Sequence, residues 1–338
     1  MRAHRLVSPA PFQMTDEEFD LPDTPPPDGV LLEAAVTAVS AGTEIANYRG
    51  ATTSRTATIG NPYYPGYSFA GTVRAVGERV TAYRPGDRVA AHAPHASHAI
   101  VPDASRIVPV PDGVDFSQAA MTTLGCIVIN AVRMAHVQLG ESVAVVGAGL
   151  IGQYAVQLSR LAGGRPVVAF DTYPRRRALA ATCGADGALD PGDGETPADV
   201  ARLAPGGFTV VFEATGSPAA FNPALKLVGR GGRLVLLGST RGLVERFDPY
   251  QDIHGKGVTI LGAHANTTPL AANLANPWTE PANRRVILDL IARGDLDVDS
   301  LISNRVRPRD AATVYARLES SPQEFLGVVF DWAEGTAR

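Results

Sequence analysis

Residues 38–50 read AVSAGTEIANYRG and place several polar side chains directly after an apolar run. A hydroxyl, a carboxylate, an amide, a phenol and a guanidinium fall within a few positions, at Thr43, Glu44, Asn47, Tyr48 and Arg49. Carboxylates and hydroxyls can accept or relay a proton in a reaction that needs no protein nucleophile. The stretch is therefore either a surface turn or a set of polar groups brought to a reaction centre.

A second concentration of polar groups is the segment HAPHASH, which carries His92, His95 and His98. In a strand, a spacing of three residues puts neighbouring histidines on opposite faces, so joint ligation of a metal would require a loop. We expect no metal site here. The alternatives are surface or loop histidines, or a substrate-binding or proton-relay role for at least one of them.

The segment VAVVGAGLIG ends an apolar strand and opens a helix, with Gly147, Gly149 and Gly152 in G-x-G-x-x-G spacing. In a dinucleotide fold these glycines permit the tight turn, the approach of a pyrophosphate and close helix–strand packing. The next apolar strand, PVVAFD, ends in Asp171, whose carboxylate can bind the adenosine ribose hydroxyls and repel a 2′-phosphate. The cofactor is predicted to be NAD.

Other cofactor contacts are predicted around this motif and after the later strands. The arginines behind Asp171 weaken the preference for NAD, and Arg176 is counted among the contacts. The remaining predicted contacts are Leu150, Ile151, Thr215, Gly216, Gly238 and His264.

Alternation along the chain predicts an α/β fold with a doubly wound parallel sheet. Fully apolar strands separated by amphipathic helices imply a parallel sheet covered on both faces. Short β-type runs before this region and a helix–helix–strand tail after it indicate a mostly β domain completed by the returning tail. The predicted divisions are residues 1–118 for the β domain, 119–264 for the nucleotide domain and 265–338 for the return.

Composition places the protein among globular chains rather than nucleic-acid or membrane binders. It has 338 residues, 45% of them hydrophobic, and a net charge of −4 without a block of like charges. We find no apolar run of the roughly 18 residues that a membrane span needs and no signal-peptide core, so we expect a cytoplasmic protein. Cys126 and Cys183 lack CxxC context and are expected to be buried thiols.

The order of these elements resembles the medium-chain dehydrogenase/reductase superfamily over essentially the whole chain. The most specific segments are PGYSFAGTVRAVGERVTAYRPGDRVA, GAGLIGQYAVQLSRLAG and HGKGVTILGAH. The short-chain class is disfavoured, since neither lysine follows a tyrosine at the required spacing. The resemblance implies a GroES-like catalytic domain beside a Rossmann domain.

The resemblance also implies positions for a catalytic zinc, and this sequence departs from them. The three ligand positions are matched by Ala41, Tyr67 and Thr122, and the cysteine lobe that holds a structural zinc is absent. Without thiolate and imidazole ligands the usual zinc site cannot form. The resemblance therefore points to a zinc-lacking, alcohol or polyol dehydrogenase-like subgroup.

Side chains must then manage the hydroxyl proton, and the resemblance suggests which ones. Thr43 matches the hydroxyl that relays the proton in zinc members, and His98 matches a histidine of proteins that share the motif SAGTE. We expect Glu44 or His98 to accept the proton through Thr43 while Tyr67 hydrogen-bonds the substrate oxygen.

The open alternatives are that Glu44 pairs with Arg49, Tyr67 fills the vacated metal site and Thr43 caps a turn. Asn47, Tyr48 and His95 are candidate substrate contacts.

Three functions remain open at this point. The first is NAD-dependent oxidation of a secondary alcohol on a sugar, a cyclitol or a specialised-metabolite intermediate. The second is reduction of a conjugated C=C by a quinone or enoyl reductase-like enzyme, which Asp171 disfavours. The third is dinucleotide binding without turnover.

The expected partner is a small-molecule substrate, and the resemblance implies a homodimer formed through the edge strand VTILGAH.

Overall fold

The computed structural model describes residues 1–50, 62–269, 271–274 and 276–332. The chain forms two compact units, one made of residues 1–126 and 269–338 and the other of residues 127–268. The last part of the chain thus returns to the unit in which the chain begins.

The first unit is built on β-structure. Its strands are β1 (Arg2–Val7), β2 (Thr15–Asp20), β3 (Val30–Ala38), β4 (Phe69–Val76), β5 (Arg88–Ala91), β6 (His98–Val101), β7 (Val108–Pro109), β14 (Ile302–Val306) and β15 (Gly327–Asp331). The larger sheet has the order β14-β15-β3-β4-β5-β7, with β6 also paired to β3, while β1 and β2 form a separate antiparallel pair. The tail strand β15 pairs antiparallel with β3 and thereby completes the sheet.

Helices cover this sheet and enclose a core between them. They are α1 (Ala41–Tyr48), α2 (Phe116–Ala120), α8 (Glu280–Ala292) and α9 (Ala311–Ser320), and α3 (Thr122–Met134) leads into the second unit. Strand residues such as Leu32 and Phe69 pack with Tyr315 of α9 in one buried cluster. Apolar residues from both ends of the sequence therefore share this core.

The second unit is a parallel sheet with helices between its strands. The strands are β8 (Val143–Val146), β9 (Val167–Phe170), β10 (Gly187–Leu189), β11 (Phe208–Glu213), β12 (Val228–Leu236) and β13 (Thr259–Gly262). The connecting helices are α4 (Leu150–Leu161), α5 (Pro174–Thr182), α6 (Thr196–Leu203) and α7 (Pro218–Leu227). The order β10-β9-β8-β11-β12-β13 is that of a dinucleotide-binding fold, and it reverses between β8 and β11.

The predicted fold class, a doubly wound parallel sheet with a mostly β domain, is confirmed. Two local features were not predicted: residues 41–48 form the helix α1, and the tail contributes β14 as well as β15. The strand β13 forms one edge of the parallel sheet, where pairing of two copies stays a prediction. Among the described residues, no helix is both long and apolar enough to cross a bilayer.

Candidate active site and dinucleotide site

Tyr67, Ser40 and His92 form a polar cluster in the first unit. The Tyr67 hydroxyl donates a hydrogen bond to Ser40 Oγ. The His92 ring stacks on the Tyr67 ring, with centroids 5.6 Å apart and planes inclined by 16°. Ser40 lies at the start of α1, but its hydroxyl does not cap the helix. The result is a pair of hydroxyl groups beside an imidazole, which is suited to binding an alcohol and moving its proton.

Charged groups from α8 lie close enough to His92 to influence it. Arg284 is completely buried and donates from Nη1 to Thr123 Oγ1 at 3.1 Å, while its Nη2 pairs with the Glu280 carboxylate. Burial lowers the pKa of His92; the Glu280 charge opposes this shift, and the Arg284 and Arg106 charges add to it. His92 is therefore neutral at physiological pH.

Glu44 is fully buried and belongs to a second network behind the first. Its Oε1 accepts the Ser40 backbone N–H at 2.8 Å, and its Oε2 lies 3.1 Å from His95 Nε2 and accepts the Tyr315 hydroxyl. The other His95 ring nitrogen lies 2.7 Å from Thr37 Oγ1, so both ring nitrogens are engaged. This network fixes the backbone of Ser40, the residue that receives the Tyr67 hydrogen bond.

The pKa values in this network follow from burial and hydrogen bonding. Burial alone would raise the pKa of Glu44, but the His95 charge and the hydrogen bonds from His95, Tyr315 and Ser40 outweigh it, and the pKa is lowered. Burial and the adjacent Glu44 carboxylate raise the pKa of Tyr315 well above its usual value. Glu44 is therefore a carboxylate and Tyr315 a neutral donor at physiological pH.

These positions correct two expectations about catalysis and binding. Glu44 and His95 are both 0% exposed, so neither can contact a substrate, and both act within the core. Glu44 also does not pair with Arg49, which instead binds Glu319. Their hydrogen bonds to Ser40 and Thr37 hold the start of α1 against β3.

The other candidates on α1 divide by burial. Tyr48 is 4% exposed, and its hydroxyl donates to the Phe12 carbonyl at 2.9 Å, which contradicts its expected role as a substrate contact. Thr43 is half-buried in the first turn, where its backbone N–H donates to the Ser40 carbonyl. Asn47 is also half-buried. Thr43 thus stays within one turn of the Tyr67–Ser40 pair.

His98 is the first residue of β6 and lies beside the middle of β3. It pairs in register with Glu33, and its Nδ1 is 3.1 Å from Ser97 Oγ, beside a cavity of about 240 Å³. Glu33 precedes Ser40 by seven positions, which corresponds to roughly 20 Å along an extended chain. Burial lowers the pKa of His98. The expectation that His98 works with Thr43 and Tyr67 is therefore corrected: His92 is the histidine at the cluster.

The glycine-rich loop of the second unit has the form that the sequence predicts. Gly147 has a φ of 93°, which other residues rarely adopt, and a Cβ on Gly152 would lie 1.9 Å from the Gly147 carbonyl. Gly149 immediately precedes α4, so Leu150 and Ile151 occupy the first turn. The first N–H groups of a helix lack intrahelical acceptors and attract phosphate.

Asp171 follows β9 and is bound to this loop. Its carboxylate accepts the Ala148 N–H and the Tyr173 N–H, both at 2.8 Å, and Arg176 Nη1 lies 3.8 Å from Oδ2. A carboxylate has about four acceptor positions, so two remain for ribose hydroxyls. Arg176 therefore lies at the predicted ribose site, where its charge partly offsets that of Asp171.

The loops after β11 and β12 meet at the same edge of the sheet. Thr215 lies against Gly147, and the Gly238 N–H donates to the Glu213 carbonyl at 2.7 Å. Gly216 donates its N–H to the Glu213 carboxylate. His264 is exposed after β13, with Nδ1 accepting the Asn266 N–H at 3.1 Å. The predicted contacts on these loops thus follow the ends of neighbouring strands.

Comparison with known proteins places this fold in a family. Residues 26–112 match the model of the alcohol dehydrogenase GroES-like domain, and residues 151–278 match the model of zinc-binding dehydrogenases. D-guloside 3-dehydrogenase of Escherichia coli is 26% identical over 78% of this chain and 77% of its own length. L-galactonate-5-dehydrogenase of E. coli is 32% identical over 64% of this chain and 60% of its own.

This chain belongs to the medium-chain dehydrogenase/reductase superfamily. Solved structures share its fold at low identity. An E. coli oxidoreductase/dehydrogenase of unknown specificity has a TM-score of 0.86 at 20% identity and covers 98% of this chain and 99% of its own. A Sinorhizobium meliloti protein solved with NADP and an E. coli alcohol dehydrogenase solved with NADH each have a TM-score of 0.82, at 23% and 22% identity, with the same coverage.

The residues at the superfamily's zinc positions do not fit a zinc ion. Ala41 offers no ligand atom, Tyr67 donates its hydroxyl to Ser40, and the Thr122 hydroxyl donates to the Ala119 carbonyl at 2.7 Å. Protein zinc sites are built from cysteine, histidine and carboxylate ligands. Across residues 1–50, 62–269, 271–274 and 276–332, no three such side chains are grouped to hold a metal.

The structure adds functional residues that the sequence alone does not single out. Ser40 and His92 lie within the quoted segments, yet only the folded contacts separate them from their neighbours. Arg284 and Tyr315 come from the tail, and Glu213 comes from the β11 end. The signal that could have pointed to Arg284 is its place among the apolar positions of α8, because buried arginines are rare.

Proposed function

We propose that this protein is an NAD-dependent, zinc-independent dehydrogenase that oxidises a secondary alcohol of a hydroxyl-rich substrate, such as a sugar, a cyclitol or a specialised-metabolite intermediate. The observation that carries the proposal is the Tyr67–Ser40 hydroxyl pair beside His92. Tyr67 stands at a position that the family resemblance assigns to a zinc ligand. A hydroxyl pair can bind an alcohol oxygen and pass on its proton.

The residues present fit a dinucleotide. The strand order, the turn at Gly147 and the first turn of α4 form the site that binds a pyrophosphate in such folds. The Asp171 carboxylate favours free ribose hydroxyls over a 2′-phosphate, which supports NAD over NADP. A bound NAD would supply the hydride acceptor for the alcohol carbon.

The chain's own groups manage the proton. The phenolic oxygen of Tyr67 accepts a hydrogen bond from the substrate hydroxyl while its own proton points to Ser40 Oγ. As the carbonyl forms, the substrate proton passes to Tyr67, the Tyr67 proton passes to Ser40, and the Ser40 proton leaves to water. His92, stacked on the phenol and neutral, orients the ring. Glu44 holds the Ser40 backbone in place.

A hydroxyl-rich substrate is supported by two observations. The Glu280 carboxylate, whose charge acts on His92 and whose side chain is 26% exposed, can accept hydrogen bonds from further substrate hydroxyls. Two similar proteins are named for oxidising a guloside and a galactonate.

Replacing Asp171 by asparagine is expected to reduce the preference for NAD over NADP by about tenfold, because it removes the charge that repels a 2′-phosphate. The check is the ratio of kcat/KM values for the two cofactors. Asp190→Asn is the matched control, since Asp190 also accepts a backbone N–H and binds an arginine, Arg177, beyond the next strand. An unchanged ratio in Asp171→Asn would show that this carboxylate does not face the ribose.

The proposed function is tested with the full-length protein and a substrate panel. Sugars, sugar acids and cyclitols are each mixed with NAD, and enones and quinones are each mixed with NADH, while the absorbance of reduced nicotinamide is followed. The proposal predicts rising absorbance with at least one polyol. Falling absorbance with enones alone would reassign the protein to C=C reduction, and binding of NADH without turnover of any compound would indicate a non-catalytic protein.

A further inference from the structure

Glu213 is a buried carboxylate at the edge of the parallel sheet. It is the last residue of β11 and is 0% exposed. The strand β11 lies between β8 and β12, next to the point where the strand order reverses. Carboxylates are rarely buried without a counter-charge, since transfer of an ion from water to a protein interior is costly.

Hydrogen bonds rather than cations hold this carboxylate. Oε1 accepts the Thr215 N–H at 2.8 Å, the Thr215 hydroxyl and the Gly216 N–H at 3.2 Å. Oε2 lies 3.3 Å from the Gly216 nitrogen and 3.5 Å from Thr240 Oγ1. Within the part of the chain that the structure describes, no lysine, arginine or histidine forms an ion pair with it. The two backbone N–H groups can only donate, so this arrangement suits the ionised carboxylate.

The loops that Glu213 holds are those that follow β11 and β12. The dinucleotide of such a fold crosses the carboxyl ends of the strands, with its two halves on either side of the point where the order reverses. The adenosine half belongs with Asp171 on the β9 side. The nicotinamide half therefore belongs on the β11 and β12 side, where Glu213 lies.

We infer that Glu213 makes this site prefer the oxidised dinucleotide, so that it selects the redox state of the cofactor as well as holding the loops. The inference rests on the proposed function. The nicotinamide ring of NAD+ carries a positive charge, whereas that of NADH is neutral. A buried carboxylate attracts the charged ring of NAD+ and not the neutral ring of NADH, and this attraction is poorly screened because the carboxylate is buried.

Glu213→Gln is the variant that separates charge from hydrogen bonding. Its amide oxygen can keep the acceptor role of Oε1 toward Thr215 and Gly216. The amide nitrogen then replaces Oε2. It gives up the longer contact of 3.3 Å with the Gly216 nitrogen and faces Thr240, whose hydroxyl can rotate to accept a hydrogen bond. Glu213→Asp keeps the charge but shortens the side chain. Glu195→Gln, an exposed position in the same unit, controls for net charge.

The experiment measures the dissociation constants of NADH by fluorescence titration and of NAD+ by competition, for the full-length wild type and the three variants. We expect Glu213→Gln to raise the dissociation constant of NAD+ by roughly 3- to 10-fold and to change that of NADH by less than about twofold. Glu213→Asp should keep the wild-type ratio of the two constants even if both affinities fall. Glu195→Gln should change neither constant.

Equal weakening of both forms by Glu213→Gln would overturn the inference and leave Glu213 as a structural support for the loops. Unchanged binding of both forms would overturn it as well. Both results leave the proposed function intact, because the wild type still binds dinucleotide. Failure of the wild type to bind either form would instead contradict the proposed function and remove the basis of the inference.

Discussion

Tyr67→Phe is expected to lower kcat for alcohol oxidation by about 10²- to 10⁴-fold, the range that a positioned proton-transfer group contributes. Phenylalanine keeps the ring that stacks on His92 and removes the hydroxyl that donates to Ser40. The substrate proton then has no acceptor at this position. NADH affinity should change by less than about twofold, because Asp171 and the glycine-rich loop are untouched. Steady-state kinetics and fluorescence titration provide the two measurements.

Tyr48→Phe is the matched control for this experiment. It also removes a buried phenolic hydroxyl from the first unit, one that donates to the Phe12 carbonyl. We expect a loss of about 1 kcal/mol in the free energy of unfolding and no change in kcat. Equal kcat values for wild type and Tyr67→Phe would show that the proton leaves by another route, and a large effect of Tyr48→Phe would restore Tyr48 as a substrate contact.

Glu44→Gln is expected to lower the free energy of unfolding by about 3 kcal/mol, the upper end of the cost of leaving a buried hydrogen-bond donor without an acceptor. The amide nitrogen of glutamine would take the place of one carboxylate oxygen. It would then face the Ser40 N–H, or His95 Nε2 and the Tyr315 hydroxyl, and lose a hydrogen bond that the carboxylate accepts. Denaturant unfolding at neutral pH measures the effect. Because Glu44 lies behind the site, kcat should fall by much less than in Tyr67→Phe.

The pH dependence of this effect follows from the lowered pKa of Glu44. A carboxyl whose pKa is lower in the folded state stabilises the protein fully above its unfolded pKa, and this contribution is lost as the pH falls through the folded value. The difference in stability between wild type and Glu44→Gln should therefore be constant near neutral pH and shrink below the ordinary glutamate pKa of 4.5.

Glu319→Gln is the control for Glu44→Gln. It removes the partner of Arg49, whose side chain is 48% exposed, and should cost less than about 1 kcal/mol. If Glu44→Gln instead abolished turnover and left stability unchanged, Glu44 would be the catalytic base that the sequence first suggested.

The sheet of the second unit and its glycine loop could be predicted because their signals are local. Strand hydrophobicity, helix periodicity and the spacing of Gly147, Gly149 and Gly152 all lie within short windows of sequence. The same holds for Asp171, which follows the next apolar run. Local patterns could not predict α1, because tertiary contacts at Glu44 rather than intrinsic propensity decide how residues 41–48 fold.

The site of the first unit depends on contacts between distant residues. Tyr67 and Ser40 are 27 positions apart, His95 and Glu44 are 51 apart, and Tyr315 is 271 positions from Glu44. The three histidines of HAPHASH have similar neighbours in the sequence. Only the structure shows that His92 stacks on Tyr67 while His95 is buried in the core. The sequence therefore identifies the candidate groups, while the pairs they form are seen only in the structure.

The central claim is that side chains, rather than zinc, manage the substrate oxygen, and the most direct measurement is the metal dependence of turnover. The protein is treated with a chelator, checked for metal by elemental analysis and assayed with NAD and its substrate, before and after addition of zinc. The account predicts full activity in the zinc-free protein and no gain on addition. Loss of activity on chelation, with recovery on addition of zinc, would contradict it.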